Sequence, residues 1–214
     1  MVIDAIKGRD GARVRELVQA EPERAEEHDE NGVSALMISH YYGVDAGEAI
    51  RAARTTPLDV FEAATVGDLG TLRALLDDDA ELVRARSVDD GTALHFAAFF
   101  NQPEAAQLLI DRGAPIDAVA STFGDVQPLH SAVAADNAET ARALLAAGAD
   151  PNARQGGGFT PLHGAAQNGN RELVEALLAS GADPAATNDA GKSGHEFAAE
   201  QGHDEVAALL AASA

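Results

Sequence analysis

The chain has 214 residues, of which 46% are apolar and 4% aromatic, and its formal net charge is −20 at pH 7. This charge disfavours nucleic acid and anionic membrane surfaces as partners, because both are polyanions. The absence of cysteine excludes disulfides, thiol nucleophiles and cysteine-based metal clusters. Charges interrupt the N-terminal segment where an export signal would be apolar, and no apolar run reaches the roughly 18 residues that would cross a bilayer. We therefore expect a cytoplasmic protein.

Three segments in the N-terminal part have the pattern of a helix followed by a turn, namely 2–9, 36–43 and 60–68. The second begins 34 positions after the first, but the third begins only 24 positions after the second. Gly67 stands at the end of the third helix, where glycine readily adopts a positive φ. The pattern predicts successive helical units, of which the second is short.

A short motif then recurs four times, at 92–98 (TALHFAA), 127–133 (QPLHSAV), 160–166 (TPLHGAA) and, more weakly, 193–199 (SGHEFAA). The third positions of successive copies lie 35, 33 and 33 residues apart. Pro128 and Pro161 suit the first turn of a helix, because the N–H that proline lacks would have had no partner there. A preceding threonine can cap the free amides. Each copy therefore predicts the start of a helix.

A second apolar segment follows each motif. Leu144-Leu145 precedes Gly148, and Leu177-Leu178 precedes Gly181. The leucine pairs give a helix an apolar stripe, and the glycines can end it with a positive φ. Each unit is therefore predicted to contain a helix, a turn, a second helix and a loop.

A period near 33 residues with a T-P-L-H-x-A core resembles the ankyrin repeat. The resemblance implies an all-α ankyrin-repeat solenoid of stacked helix-turn-helix units with β-hairpin loops. Stacking supplies the core, because one helix pair cannot bury its own apolar face. We predict a single domain over residues 1–214 with about seven units including caps. Their approximate bounds are 1–33, 34–56 (short), 57–91, 92–126, 127–159, 160–192 and 193–214 (cap).

The short second unit has room for two helices but not for the hairpin that would precede Pro57. A missing hairpin would leave a notch between the second and third units, beside Tyr41, Tyr42 and Val66. One hypothesis is that this notch admits a loop or peptide of a partner. The alternative is that the N-terminal cap has simply lost the repeat pattern.

His95, His130 and His163 occupy equivalent positions, and imidazole can act as a base, an acid or a metal ligand. A residue that recurs with the fold period is more often structural than catalytic. The resemblance implies that these histidines form hydrogen bonds between neighbouring loops. His195 and His203 could contribute to a metal site, but a polar C-terminal cap is the preferred interpretation.

Two other patterns are only weak indications of phosphate or calcium binding. The glycines at 156–158 lack the lysine and hydroxyl residue of a phosphate-binding loop, so we interpret them as a hairpin tip. The acidic runs at 77–79 and 26–30 lack the spacing of a calcium loop. We expect no catalytic residue, bound metal or cofactor.

The resemblance also implies a binding surface, since ankyrin proteins contact partners through the residues before the turn that follows each first helix. Four of the nine aromatic residues fall in this column: Tyr41, Tyr42, Phe99 and Phe100. Exposed aromatic side chains are common binding hot spots. The alternative is that some of these rings complete an irregular core under the short unit. Val66 lies in the same column.

Hairpin tips would extend the surface. Phe123 and Phe159 add apolar points, and Asp89, Asp90, Asp125 and Asp189 add negative charge. A partner with an apolar centre and a basic rim would be complementary.

The sequence thus predicts a monomeric, non-enzymatic module that binds another protein through its concave face, as a scaffold or an inhibitor. An alternative is an acidic polyanion mimic that blocks a nucleic-acid-binding protein. A third and weaker candidate is a metal-dependent hydrolase that uses His195 and His203.

Overall fold

A computed structural model describes residues 1–213, and fourteen α-helices run through this part of the chain. The helices form consecutive antiparallel pairs. The first helices of the pairs are α1 (Val2–Lys7), α3 (Ala35–Tyr41), α5 (Val60–Val66), α7 (Ala93–Phe99), α9 (Pro128–Ala134), α11 (Pro161–Asn168) and α13 (Gly194–Glu200). The second helices are α2 (Gly11–Ala20), α4 (Gly47–Ala53), α6 (Leu69–Asp78), α8 (Pro103–Asp111), α10 (Ala138–Ala146), α12 (Arg171–Ala179) and α14 (Asp204–Ser213).

Side-chain caps fix where the helices begin. Asn137 and Asn170 accept hydrogen bonds from the backbone amides of the third helical residue at the starts of α10 and α12. Pro128 and Pro161 occupy the first position of α9 and α11, where no amide partner is lost. Gly169 ends α11 with φ of 71°, in the left-handed region. These local signals agree with the motif that predicted the helices.

The first helices stack in one column and the second helices in another, and each helix packs against its pair partner. Leu94, Leu129 and Leu162 from successive motifs are buried between neighbouring pairs. Alanines on the same helices keep the spacing between pairs small. Burying one leucine contributes about 2 kcal/mol, so the repeated leucines provide a continuous core. The all-α solenoid predicted from the sequence is confirmed.

The loops between pairs form hairpins held by isolated antiparallel bridges, and within residues 1–213 they do not lengthen into strands. The bridges join His28 to Ser34, Ala120 to Val126, Gln155 to Phe159 and Thr187 to Ser193. A fifth hairpin is closed by the amide of Ser87, which donates to the carbonyl of Gly91 at 2.9 Å. Five hairpins therefore precede successive first helices, and four of them contain the residues that the sequence placed at or beside hairpin tips.

The connection between α4 and α5 lacks such a bridge in the described chain. Its residues 54–59 run across the preceding loop, where the amides of Thr55 and Thr56 donate to the carboxylate of Glu26 at 2.7 and 2.9 Å. Burial disfavours the ionised carboxylate, but the hydrogen bond from the Thr56 hydroxyl and those from the two amides outweigh it and lower the pKa of Glu26 to about 2. Glu26 therefore anchors the short connection as an anion.

The hairpins on either side of this short connection approach each other. A shallow cavity of about 180 Å³ lies between them, and both Gly32 and Val88 line it. On the opposite side of the stack, α4 packs against α2 and α3 but has little contact with α6. Arg51 and Asp68 form an ion pair across that gap. A cavity lined by His40, Arg51 and Val66 lies beside this gap. Neither Tyr41 nor Tyr42 lines it, so it is not the notch that the missing hairpin was predicted to leave.

The division into seven repeat units with the stated bounds remains a prediction. The final residue of the predicted cap, Ala214, lies outside the described residues. No helix in the described range is long and apolar enough to span a membrane.

Candidate functional site

The repeated histidines connect neighbouring repeats, which confirms their expected structural role. The Nε2 atoms of His95, His130 and His163 lie 3.1, 3.2 and 3.0 Å from backbone carbonyl oxygens of the next hairpin. On the other side of the ring, Nδ1 of His163 accepts from the backbone amide of Thr160 at 3.1 Å. Each imidazole is consequently held as a neutral tautomer with Nε2 protonated.

Burial of these rings disfavours the charged imidazolium. It lowers the pKa of His95 to about 4, despite opposing hydrogen bonds to the backbone. Burial also lowers the pKa of His130 and His163. All three histidines are therefore neutral at pH 7 and serve as rigid hydrogen-bonding links.

Glutamate takes the position of histidine in two other repeats. Glu196 accepts from the backbone amide of Ser193 at 2.8 Å, and Glu62 accepts from that of Asp59 at 3.2 Å. A carboxylate can complete the helix cap in this way but cannot donate to the next hairpin. The link between repeats that histidine provides elsewhere is therefore missing at Glu62, which borders the short connection.

The concave face contains one groove of about 410 Å³, formed by first helices and hairpins. Tyr41 and Phe99 lie at one end, Phe123 lies on a hairpin, and Phe159 lies on the next hairpin. The groove is lined by Tyr41, His95, Phe96, Phe99, Phe123, Val126, His130, Ser131, Val133, Ala134, Gln155, Phe159, Thr160, Pro161, Gly164, Gln167 and Asn168. Four of the aromatic residues selected from the sequence thus border one cavity.

The ring of Tyr41 reaches across α5 and packs against the rings of α7. Its centroid lies 6.4 Å from that of Phe99 and 5.2 Å from that of Phe100. Phe99 and Phe100 are themselves in edge contact at 5.1 Å. This contact closes one end of the groove with aromatic surface.

Not all the predicted rings face the groove. Phe99 and Phe123 are 42% and 46% exposed, whereas Tyr42 and Phe100 are half-buried against the core. Val66 lines the cavity beside Arg51 instead of the groove. Tyr42 and Phe100 therefore fit the alternative, in which some of these rings complete an irregular core under the short repeat.

The acidic residues lie on successive hairpins. Asp90 accepts from the amide of Ser121 at 3.0 Å and pairs with Arg86 at 3.2 Å. Asp189 lies 3.6 Å from Arg154. These two carboxylates already have cationic neighbours.

Asp89 and Asp125 differ, because no lysine or arginine in the described chain pairs with either. Burial raises the pKa of Asp89, and the charge of Asp29 on the facing hairpin raises it further. Burial also raises the pKa of the Tyr41 hydroxyl, with a smaller effect from Asp89. Asp89 lines the small cavity between the hairpins of residues 28–34 and 87–91, and Asp125 follows Phe123 on its hairpin.

Several groove residues were not selected from the sequence. Val126 and Val133 line the cavity, and Gly164 forms part of its wall. Val126 lies three residues after Phe123, so its position on the same hairpin was a usable signal. Val133 had no such signal, because its motif position is usually a buried alanine in the other copies.

The described residues contain no cluster of side chains that could bind a metal ion. No group of three or more histidine and carboxylate side chains is placed to hold an ion within residues 1–213. His195 is exposed, and Nε2 of His203 lies 3.1 Å from the carbonyl of Gln167. The residues of the hydrolase alternative are therefore not brought together.

Comparison with known proteins agrees with the fold. A family model described as ankyrin repeats (3 copies) matches residues 60–155 and 129–214. These matches cover more than half of the chain, and the protein belongs to the ankyrin repeat family. Membership indicates a protein–protein interaction module.

Two similar proteins come from Oryza sativa subsp. japonica. E3 ubiquitin-protein ligase XB3 is 43% identical over 75 residues, which is 34% of this chain and 17% of that protein. Probable E3 ubiquitin-protein ligase XBOS31 is 35% identical over 106 residues, or 49% of this chain and 23% of that protein. The chain thus spans less than a quarter of the length of either relative.

Proposed function

We propose that this chain is a non-enzymatic binding module that recognises another protein through the concave groove. The observation that carries the proposal is the convergence of Tyr41, Phe99, Phe123 and Phe159 on one cavity. Large exposed rings in a concave apolar surface are typical of binding hot spots. The acidic hairpins would favour a partner with a basic rim.

Binding at this groove suits a scaffold or an inhibitor, since both functions need only recognition. The two rice relatives are named as ligases, but they match this chain over a small part of their length, so we transfer no ligase activity. We place the interaction in the cytoplasm, with the chain acting as a monomer, and the cysteine-free composition is consistent with that compartment.

Affinity capture from lysate of the source cell tests this function. We would compare the native chain with a Phe99→Ser/Phe123→Ser variant, because both rings are exposed. Since Phe99 also packs on Tyr41 and Phe100, urea unfolding first confirms that the variant is folded. Val119→Ser is the matched control, as Val119 is also an exposed apolar residue but lies outside the groove. Loss of one discrete partner with the double variant alone is the expected result. Equal capture by all three proteins would contradict the proposal.

The polyanion-mimic alternative predicts a different salt response. A complex dominated by charge weakens steeply as salt increases, because ionic screening reduces the attraction. The affinity of a complex held mainly by aromatic side chains decreases much less over the same range of salt concentration. Measuring the affinity of the captured partner across a salt series separates the two functions.

A further inference from the structure

The groove has the features of a site for one apolar side chain. Phe99 and Phe123 have exposed rings that line it, and Phe159 lines it from the next hairpin. Phe159 is held in place by the rings of His163 and Phe197, at centroid distances of 5.8 and 5.5 Å. One apolar wall is therefore formed by a ring whose position is set by packing, and the exposed ring of Phe123 adds apolar surface from the preceding hairpin.

Small residues make the floor of the groove deep enough to accept a side chain. Ala134 is exposed between the walls, and Gly164 stands on the neighbouring helix. A Cβ atom on Gly164 would lie only 3.0 Å from Cγ1 of Val133, so the glycine preserves space against that valine. An apolar group that enters the groove can reach the helix surface.

Uncompensated negative charge lies at two points near this cavity. Asp90 and Asp189 are paired with arginines, but Asp89 and Asp125 have no such ion pair in the described chain. Asp125 lies on the hairpin of Phe123, and Asp89 lies on the preceding hairpin, where it lines the cavity between residues 28–34 and 87–91. The two charges thus lie on the neighbouring hairpins that precede α7 and α9, two of the helices that line the groove.

We propose that the groove binds an extended segment of a partner protein in which an apolar side chain is flanked by lysine or arginine. The apolar side chain enters between Phe99, Phe123 and Phe159, and the basic side chains reach Asp89 and Asp125. A second copy of this chain is a poor occupant because it has a net charge of −20. This inference rests on the proposed function and specifies the partner of the same groove.

The test uses the purified full chain and a display library of random linear peptides. Peptides of about 12 residues span roughly 40 Å when extended, which is enough to cross several hairpins. We expect selection to enrich peptides with an apolar residue between basic residues. A synthetic copy of an enriched peptide then serves as the titration probe.

Variants of the groove locate the bound peptide. Ala134→Phe fills the floor and should weaken binding about tenfold or more, because it displaces the anchor. Ala146→Phe is the matched control, since Ala146 is exposed on the second helix of the same pair and lies outside the groove. It should leave the affinity unchanged. Both variants are first compared with the native chain by circular dichroism and urea unfolding.

Charge variants test the basic flanks. Asp89→Asn and Asp125→Asn should each weaken binding about threefold, as expected for exposed ion pairs. Asparagine tolerates the positive φ of 61° at Asp125, so the hairpin is preserved. The control is the double variant Asp78→Asn/Glu139→Gln, which removes two exposed charges outside the groove.

Two results would overturn the inference: no enrichment of basic-apolar peptides, or equal binding to the native chain and Ala134→Phe. If a cellular partner is nevertheless lost from the Phe99→Ser/Phe123→Ser variant, the proposed function stands and only the partner chemistry is wrong. If the Phe99→Ser/Phe123→Ser variant captures the same proteins as the native chain, both the inference and the proposed function are wrong.

Discussion

The hydroxyl of Ser34 donates a 2.6 Å hydrogen bond to the buried carboxylate of Glu62, which also pairs with Arg54. Glu62 occupies the motif position that histidine holds in later repeats. There, histidine reaches forward to the next hairpin, whereas Glu62 reaches back to residues before α5. At the repeat that lacks a hairpin, the buried ion pair of Arg54 and Glu62 thus takes the place of the histidine link.

Removal of Arg54 should be strongly destabilising. Arg54→Met leaves Glu62 buried without its cation, and breaking such a pair costs about 3–5 kcal/mol. The free energy of unfolding in urea measures the loss. Neutralising Glu62 as well, in Arg54→Met/Glu62→Gln, should recover part of the loss. The control is Arg73→Met, because Arg73 is exposed on α6. An equal loss of unfolding free energy at both sites would show that the ion pair contributes nothing specific.

Acidification should destabilise the fold through the buried histidines. The pKa of His95 is lowered to about 4 in the folded chain, whereas an unfolded histidine titrates near 6.5. Between these values the unfolded state binds more protons, so stability is complete above pH 6.5 and falls as the pH decreases toward 4. His95 alone should account for about 2 kcal/mol of the loss at pH 5.

Urea unfolding from pH 7 to pH 5 measures this loss. His95→Gln should have a smaller pH dependence over this range, even if it is less stable at pH 7. The exposed His195 is the control site, and His195→Gln should retain the full dependence of the native chain. A native chain with constant stability over this range would contradict the assigned protonation.

The hydroxyl of Thr160 should contribute about 1 kcal/mol as part of a helix cap. It lies 2.8 Å from Nδ1 of His163 and is buried. Thr160→Val removes the hydroxyl while keeping the shape of the side chain. Thermal unfolding gives the change, with the exposed Thr187→Val as the control. An unchanged midpoint for Thr160→Val would mean that the backbone amide alone suffices to hold the ring.

The phenylalanines should divide into structural and surface rings. Phe100→Ala removes a ring packed on Tyr41 and His40, and we expect a loss of roughly 2–4 kcal/mol. Phe123→Ala removes a ring that is 46% exposed on a hairpin and should change the unfolding free energy by less than about 0.5 kcal/mol. Chemical denaturation of the two variants distinguishes them. Equal losses would place Phe123 in the core.

Much of the fold could be predicted because its signals are local and repeated. The motif at 160–166 contains the cap, the proline and the linking histidine of α11. The cap and the histidine recur in α7 and α9, and the proline recurs in α9. The short repeat was also visible, since it depends only on spacing. Period and capping therefore determine the register of the stack.

The exposure of individual rings could not be predicted in the same way. Phe99 and Phe100 are adjacent in sequence, and contacts with Tyr41 and His40 from another repeat cover Phe100 more than Phe99. Those contacts join residues of α3 and α7 and depend on how closely the short repeat brings them together. Arg54 was missed for a similar reason, because its partners belong to neighbouring repeats.

The short connection between α4 and α5 has a consequence for how binding could change during evolution. It brings the hairpins of residues 28–34 and 87–91 side by side, and Tyr41 meets Phe99 on the helices that these hairpins precede. Lengthening this connection by a hairpin would separate the two rings and open one end of the groove. If the groove binds a partner as proposed, the length of this connection sets the width of the binding surface without touching the partner. A single insertion there could exchange one partner for another while every contact residue stayed the same.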